Sequence, residues 1–123
     1  MAKPRILVVD DDPQFRRVVR VALTARDHEV REAASGFEVL DRALFEAVDV
    51  ILVDWIMPGM DGDATCRAIR AASCVPIIVM TASDRAREAF SAGAGAFLKK
   101  PVSIERLLAS IETILGNTGA CLG

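Results

Sequence analysis

Ile6-Leu7-Val8-Val9 and Val50-Ile51-Leu52-Val53 are unbroken apolar runs rich in β-branched residues, the pattern of strands covered on both faces as in a parallel sheet. Pro76-Ile77-Ile78-Val79-Met80 is a third such run, and Gly95-Ala96-Phe97-Leu98-Lys99 a weaker one broken by Lys100-Pro101. His28 to Glu32 is more polar and suits a sheet edge. Between these runs the apolar period becomes helical. Phe15, Val18, Val19, Ala22 and Leu23 recur at helical spacing behind Asp12-Pro13, an N-cap followed by proline at the first helical position. Ser35-Gly36-Phe37-Glu38 forms a capping box and predicts one helix with Val39, Leu40, Ala43, Leu44 and Ala47 inward. Turn signals at Pro58-Gly59 and Asp61-Gly62 precede a helix near Asp63 to Ala71, and Asp84 to Ala92 predicts a short helix stopped at Gly93. A last helix from Ser103 carries Ile104, Leu107, Leu108, Ile111, Ile114 and Leu115 and ends at Gly116.

Five strands alternating with five helices imply an open α/β layer structure with a mainly parallel sheet, since a closed barrel needs about eight such units. The length of 123 residues suits one domain, here expected over residues 1–116, with Asn117 to Gly123 a tail or the start of a linker. Fifteen basic and 17 acidic residues give a formal charge of −2, so no overall positive field draws the chain to nucleic acid or an anionic bilayer. No apolar run approaches the roughly 20 residues of a membrane span, and Met1 to Arg5 is not followed by a signal-peptide core, so a cytoplasmic location is expected. Cys66, Cys74 and Cys121 are odd in number and lack CxxC spacing, which argues against a disulfide framework and a zinc site. Cys66 and Cys74 read as small core residues. The single histidine, His28, reads as a surface strand residue and excludes a histidine-based triad.

Ligands of open α/β sheets bind at the carboxyl ends of the strands. There the chain places Asp10-Asp11-Asp12 after the first strand, Asp54 after the third, Thr81 after the fourth and Lys100 after the fifth. Two carboxylates about 4 Å apart repel by roughly 4 kcal/mol at an effective dielectric near 20, so such a cluster raises its own pKa values or takes up a cation. Oxygen ligands without histidine or thiolate select a hard ion, Mg²⁺ or Mn²⁺. With the ammonium of Lys100 and the hydroxyl of Thr81, the rim forms a clamp for a phosphoryl group. Asp54, ending the central strand, is placed as the nucleophile, and Asp10 and Asp11 as holders of the ion. Asp12 reads as an N-cap, Asp61 and Asp63 as turn and cap residues, and Arg16, Arg17, Arg20 and Arg26 as a solvated helix face.

Val8-Val9-Asp10-Asp11-Asp12-Pro13, Asp54-Trp55-Ile56-Met57-Pro58-Gly59-Met60-Asp61-Gly62, Met80-Thr81-Ala82 and Lys99-Lys100-Pro101, in this order and each at a strand end, closely resemble the receiver domain of two-component response regulators, of the chemotaxis-regulator-like superfamily. The resemblance runs to about Gly116. It implies a flavodoxin-like, doubly wound (βα)₅ three-layer sandwich with sheet order 2-1-3-4-5. It implies Asp54 as phosphoacceptor, a metal held by Asp11, Asp54, the backbone carbonyl of Ile56 and, directly or through water, Asp10, and Thr81 and Lys100 as ligands of the phosphoryl group. Phe97 matches the switch aromatic whose rotation accompanies movement of the Thr81 hydroxyl. The implied partners are a sensor histidine kinase or phosphotransfer protein, and a downstream effector or fused output domain, with the chain a monomer or a phosphorylation-dependent dimer. Such a domain is not an enzyme acting on other molecules; it catalyses its own phosphorylation and slow autodephosphorylation.

Two departures stand out. The 19 positions from Thr81 to Lys100 are a few fewer than the family pattern, so the fourth helix or its loop is expected to be short. Ile56 and Ser83, two residues beyond Asp54 and Thr81, occupy positions that modulate hydrolysis in the family, and the apolar Ile56 favours a slow autophosphatase. Two other readings of the rim stay open. One is a Mg²⁺-dependent phosphohydrolase with an aspartyl-phosphate intermediate, although Asp10-Asp11-Asp12-Pro13-Gln14 does not meet its DxDx[TV] signature. The other is a binding module without phosphorylation.

Overall fold

The computed structural model describes residues 3–116 and forms a five-stranded, wholly parallel sheet flanked by helices on both faces. The order along the chain is β1 (Arg5–Val9), α1 (Pro13–Thr24), β2 (Glu29–Ala33), α2 (Gly36–Asp41), β3 (Val50–Asp54), α3 (Gly62–Ala72), β4 (Ile77–Thr81), α4 (Ala86–Ser91), β5 (Ala96–Lys99) and α5 (Ile104–Gly116). The sheet order is β2-β1-β3-β4-β5, as expected, with polar β2 at one edge. Residues 117–123, including the expected tail and Cys121, lie outside the described residues. None of the described helices is long and apolar enough to cross a membrane.

The strands alternate between two cores. Leu7, Val9, Ile51, Val53, Ile77 and Val79 pack on the side of α2, α3 and α4, against Val39, Cys66, Ile69 and Ala89. Ile6, Val8, Val50, Leu52, Ile78 and Met80 face α1 and α5, against Val19, Leu23, Leu107 and Ile111. All five residues of β3 and of β4 are buried. Each large aliphatic side chain so buried contributes roughly 1.5–3 kcal/mol, which makes the sheet a firm platform for the groups at its ends.

Four local expectations need correction. The helix opened by Ser35, whose hydroxyl accepts from the Glu38 amide at 3.2 Å, ends at Asp41. Ala43 turns to φ +48° and a 3-10 turn, Leu44–Ala47, follows. An uninterrupted helix would carry Phe45 off the inward face; the break buries Leu44, Phe45 and Val48 together. A positive φ at alanine costs about 1–2 kcal/mol, less than the combined burial of these side chains returns. On α1, Val18 is 58% exposed rather than inward. Arg16, expected in solvent, is half-buried. Cys74 is exposed and disulfide-bonded, not a core thiol, whereas Cys66 is buried and free.

Two glycines are required by geometry. A Cβ at Gly62 would stand 2.5 Å from the Trp55 Cα, where the loop after β3 doubles back and the Gly62 amide bonds the Trp55 carbonyl at 2.8 Å. Gly93 adopts φ +110° and ends α4 as anticipated.

Candidate functional site at the carboxyl rim

The order of the sheet reverses between β1 and β3, and their register pairs Val9 with Val53, so the next residues, Asp10 and Asp54, leave adjacent strands side by side. The Asp10 amide bonds the Ala33 carbonyl at 3.1 Å, extending the ladder one residue beyond β1. Both of its carboxylate oxygens are engaged, each with acceptor capacity left over: Oδ1 accepts from the Asp12 amide at 2.9 Å and Oδ2 from the Lys100 ammonium at 2.8 Å. Asp54 Oδ1 accepts from the Ile56 amide at 3.3 Å, and Oδ2 lies 3.6 Å from Lys100 Nζ. Asp11 is exposed. One oxygen from each of Asp10, Asp11 and Asp54 lies within 4.8 Å of the others.

Burial, foremost, and then the neighbouring charge of Asp10 push the Asp54 carboxyl above its ordinary pKa. Asp11 adds to this push, while Lys100 and the Ile56 amide oppose it. Three carboxylates against one ammonium leave the corner with excess negative charge. A hard divalent cation relieves that excess, and these oxygen donors fit one.

On the other side of the rim, the Lys100 amide bonds the Thr81 carbonyl at 2.8 Å, so the β4–β5 ladder delivers the ammonium to the acidic corner. That ammonium lies 4.1 Å from the centre of the Phe15 ring on α1, a cation–π contact. The buried Thr81 hydroxyl lies 3.3 Å from the Ser83 hydroxyl and engages its own loop. Phe97 is half-buried and packs against the core on the α2–α4 side.

Other acids nearby are occupied. Asp12 caps α1 through the Gln14 amide at 3.0 Å, Asp61 caps α3 through the Ala64 amide at 2.9 Å, and Asp63 pairs with Arg67 at 2.7 Å. Ile56 is 61% exposed, and with Trp55, Met57, Asp61 and Arg85 it lines a hollow of about 230 Å³ beside the end of β3. Two neighbours of the site escape a reading by periodicity. Phe15 looks like an ordinary core position yet lies under Lys100, and Arg16, beside it, reaches the Asp10 carbonyl.

Comparison with known proteins agrees with this geometry. The chain is 35% identical over 114 residues to the transcriptional regulatory protein ResD of Bacillus subtilis, covering 90% of this chain and 48% of that protein. It is 38% identical over 118 residues to the response regulator MprA of Mycobacterium avium, covering 93% and 52%. The chain thus spans about half the length of these curated relatives. The solved structure of the chemotaxis protein CheY4 of Vibrio cholerae superposes with a TM-score of 0.86 at 33% identity, covering 92% of this chain and 99% of that one. The family model of the response regulator receiver domain matches residues 6–112. The chain therefore belongs to the receiver domains of two-component response regulators.

Proposed function

We propose that Asp54 is the phosphoacceptor of this receiver, and that residues 1–116 form the phosphorylatable unit. The observation that carries the proposal is the placement of the Asp54 carboxylate at the end of the central strand, grouped with Asp10 and Asp11 and faced by Lys100. A carboxylate oxygen of Asp54 attacks the phosphorus of a phosphohistidine on a sensor kinase or phosphotransfer protein. The phosphorus–nitrogen bond breaks, the imidazole leaves with the electron pair, and a mixed anhydride forms on Asp54.

Asp10, Asp11, Asp54 and the backbone carbonyl of Ile56 would hold Mg²⁺, with Mn²⁺ the substitute. The ion supplies neutralising charge to the phosphoryl oxygens when bound. Lys100 holds Asp10 in place and offers its ammonium to the same oxygens. The Thr81 hydroxyl leaves Ser83 for the phosphoryl group, and Phe97 follows it inward. This two-state shift is what an effector protein or an output domain reads, by a monomer or a phosphorylation-dependent dimer. The apolar Ile56 offers no hydrogen bond to an attacking water, so autodephosphorylation is slow.

The test is incubation with a small acyl phosphate and Mg²⁺ followed by intact-mass measurement. One added phosphoryl group, lost in Asp54→Asn, is the expected result; rapid turnover of phosphoesters would indicate a hydrolase, and no addition a binding module. Label persisting for minutes, with Ile56→Asn speeding its loss, supports the role of Ile56. Loss within seconds, or an unchanged rate in the variant, removes it.

A further inference from the structure

Arg16 turns from the solvent face of α1 towards the β1–α1 turn and is held at three points. Its guanidinium donates to the backbone carbonyl of Asp10. Its Nε pairs with Glu32 Oε1 on edge strand β2 at 3.1 Å, and its own amide bonds the Asp12 carbonyl at 3.1 Å. Arg20, one helical turn later, pairs with the other Glu32 oxygen at 3.2 Å, and among the described residues no side-chain bond joins it to the turn. Asp11 follows the carbonyl that the Arg16 side chain secures and makes no side-chain hydrogen bond or ion pair among the described residues; the amide bond to the Asp12 carbonyl is one that any residue at position 16 would make. With no such partner, the Asp11 carboxylate stands where the backbone that carries it and its own rotamer put it, and the orientation of the Asp10–Asp11 peptide sets the backbone part.

We propose that Arg16 is a positioning residue for the divalent-cation site: by fixing the Asp10 carbonyl against Glu32 it holds Asp11 within reach of Asp10 and Asp54. This rests on the cation reading given above. Two effects of the guanidinium oppose each other. As a charge it repels the ion, an effect that Glu32 offsets. As a donor it pre-organises a ligand, and groups that orient metal ligands typically govern affinity by about 10- to 100-fold. The second effect wins here because the charge is paired while, among the described residues, the carbonyl bond is made by Arg16 alone.

The experiment is a Mg²⁺ titration of the full chain, followed by calorimetry and by emission of Trp55, the sole tryptophan, next to Asp54. Arg16→Ala is expected to weaken Mg²⁺ binding by about tenfold. Arg16→Lys, which keeps the charge but loses the fork, is expected to weaken it as well. Arg20→Ala, which removes an equal charge from the same glutamate, should stay within about twofold of the parent, as an exposed pair implies. Thermal melting without Mg²⁺ separates affinity from stability. Unchanged or tighter binding in Arg16→Ala, an equal loss in Arg20→Ala, or unchanged affinity in Arg16→Lys would each overturn the assignment. The lysine variant decides the matter should the alanine variant fail to fold. A parent chain that takes up no Mg²⁺ overturns the cation reading itself, and the role of Arg16 with it.

Discussion

Lys99 and Lys100 are neighbours, and each closes an ion pair of 2.8 Å, yet the two pairs differ in nearly every other respect. Lys99 reaches Asp84 in the loop after β4, where the side chains are 54% and 87% exposed. Lys100 reaches Asp10, where they are 21% and 1% exposed, and it also faces Asp54 and the Phe15 ring. Strand alternation sends adjacent side chains to opposite sides, so one ammonium lands in water and the other in the acidic corner. Asp84 and Asp54, the acid that Lys100 faces at 3.6 Å, shift in opposite directions. Burial foremost raises the pKa of Asp54, whereas the hydrogen bond and charge of Lys99 lower that of Asp84. Distance does not distinguish a surface pair from a buried one; surroundings do.

Removal of the inner lysine should have the largest effect. Lys100→Ala leaves Asp10 buried without its cation, and loss of one partner of a buried pair costs about 3 kcal/mol at the low end. Urea unfolding in a chelator should show this loss, and saturating Mg²⁺ should restore part of it, because a bound cation replaces the missing charge. A loss no greater than that of Lys99→Ala would erase the distinction. The next effect is a pH slope. The folded pKa of Asp54 lies above the unfolded one, so its ionisation disfavours the folded state, and stability falls as pH rises through the folded value. Without divalent ions, Asp54→Asn should therefore be more stable than the parent at neutral pH, with the gap closing as pH falls to the ordinary carboxylate range. A gap independent of pH would contradict the origin of the shift.

The site is more legible in the sequence than the supports around it. Asp10, Asp54, Thr81 and Lys100 each follow an apolar run, and parallel strands deliver whatever follows them to one rim. The short span from Thr81 to Lys100 likewise foreshadows α4, six residues long and without a side-chain N-cap. Helix faces are less legible. At about 100° per residue, a buried line through Val19 puts Val18 about 100° away and Arg16 only about 60° away. Counting i, i+3 and i+4 therefore drew Val18 inward and left Arg16 outside, the reverse of their surroundings. The break at Ala43 escapes local rules because it serves the burial of Phe45 and Val48, a gain made against the sheet rather than within the helix. The exposure of Cys74, just beyond α3, has no counterpart in the composition argument that placed it inside.

Smallest of all should be the effect of breaking the outer pair. Asp84 has its pKa lowered by Lys99, so its ionised form favours the folded state at neutral pH, and that contribution disappears as pH falls through the lowered value. The sign is stabilising, but both side chains stand in water, where salt screens the pair and ordering two mobile side chains offsets the attraction. Asp84→Asn and Lys99→Ala should therefore melt with the parent, in low and in high salt, and accept a phosphoryl group at the parental rate. On the proposed role of Thr81 in switching, the contrast with Lys100→Ala has a further consequence. If the outer pair contributes nothing measurable, moving the Thr81 hydroxyl breaks, among the described residues, its two contacts with Ser83, the hydroxyl pair at 3.3 Å and the Ser83 amide that donates to it at 3.4 Å, and no ion pair besides. A clear loss of melting temperature in Asp84→Asn at low salt, abolished at high salt, would show instead that the pair fastens this loop, and the Thr81 hydroxyl would have to release it in order to move.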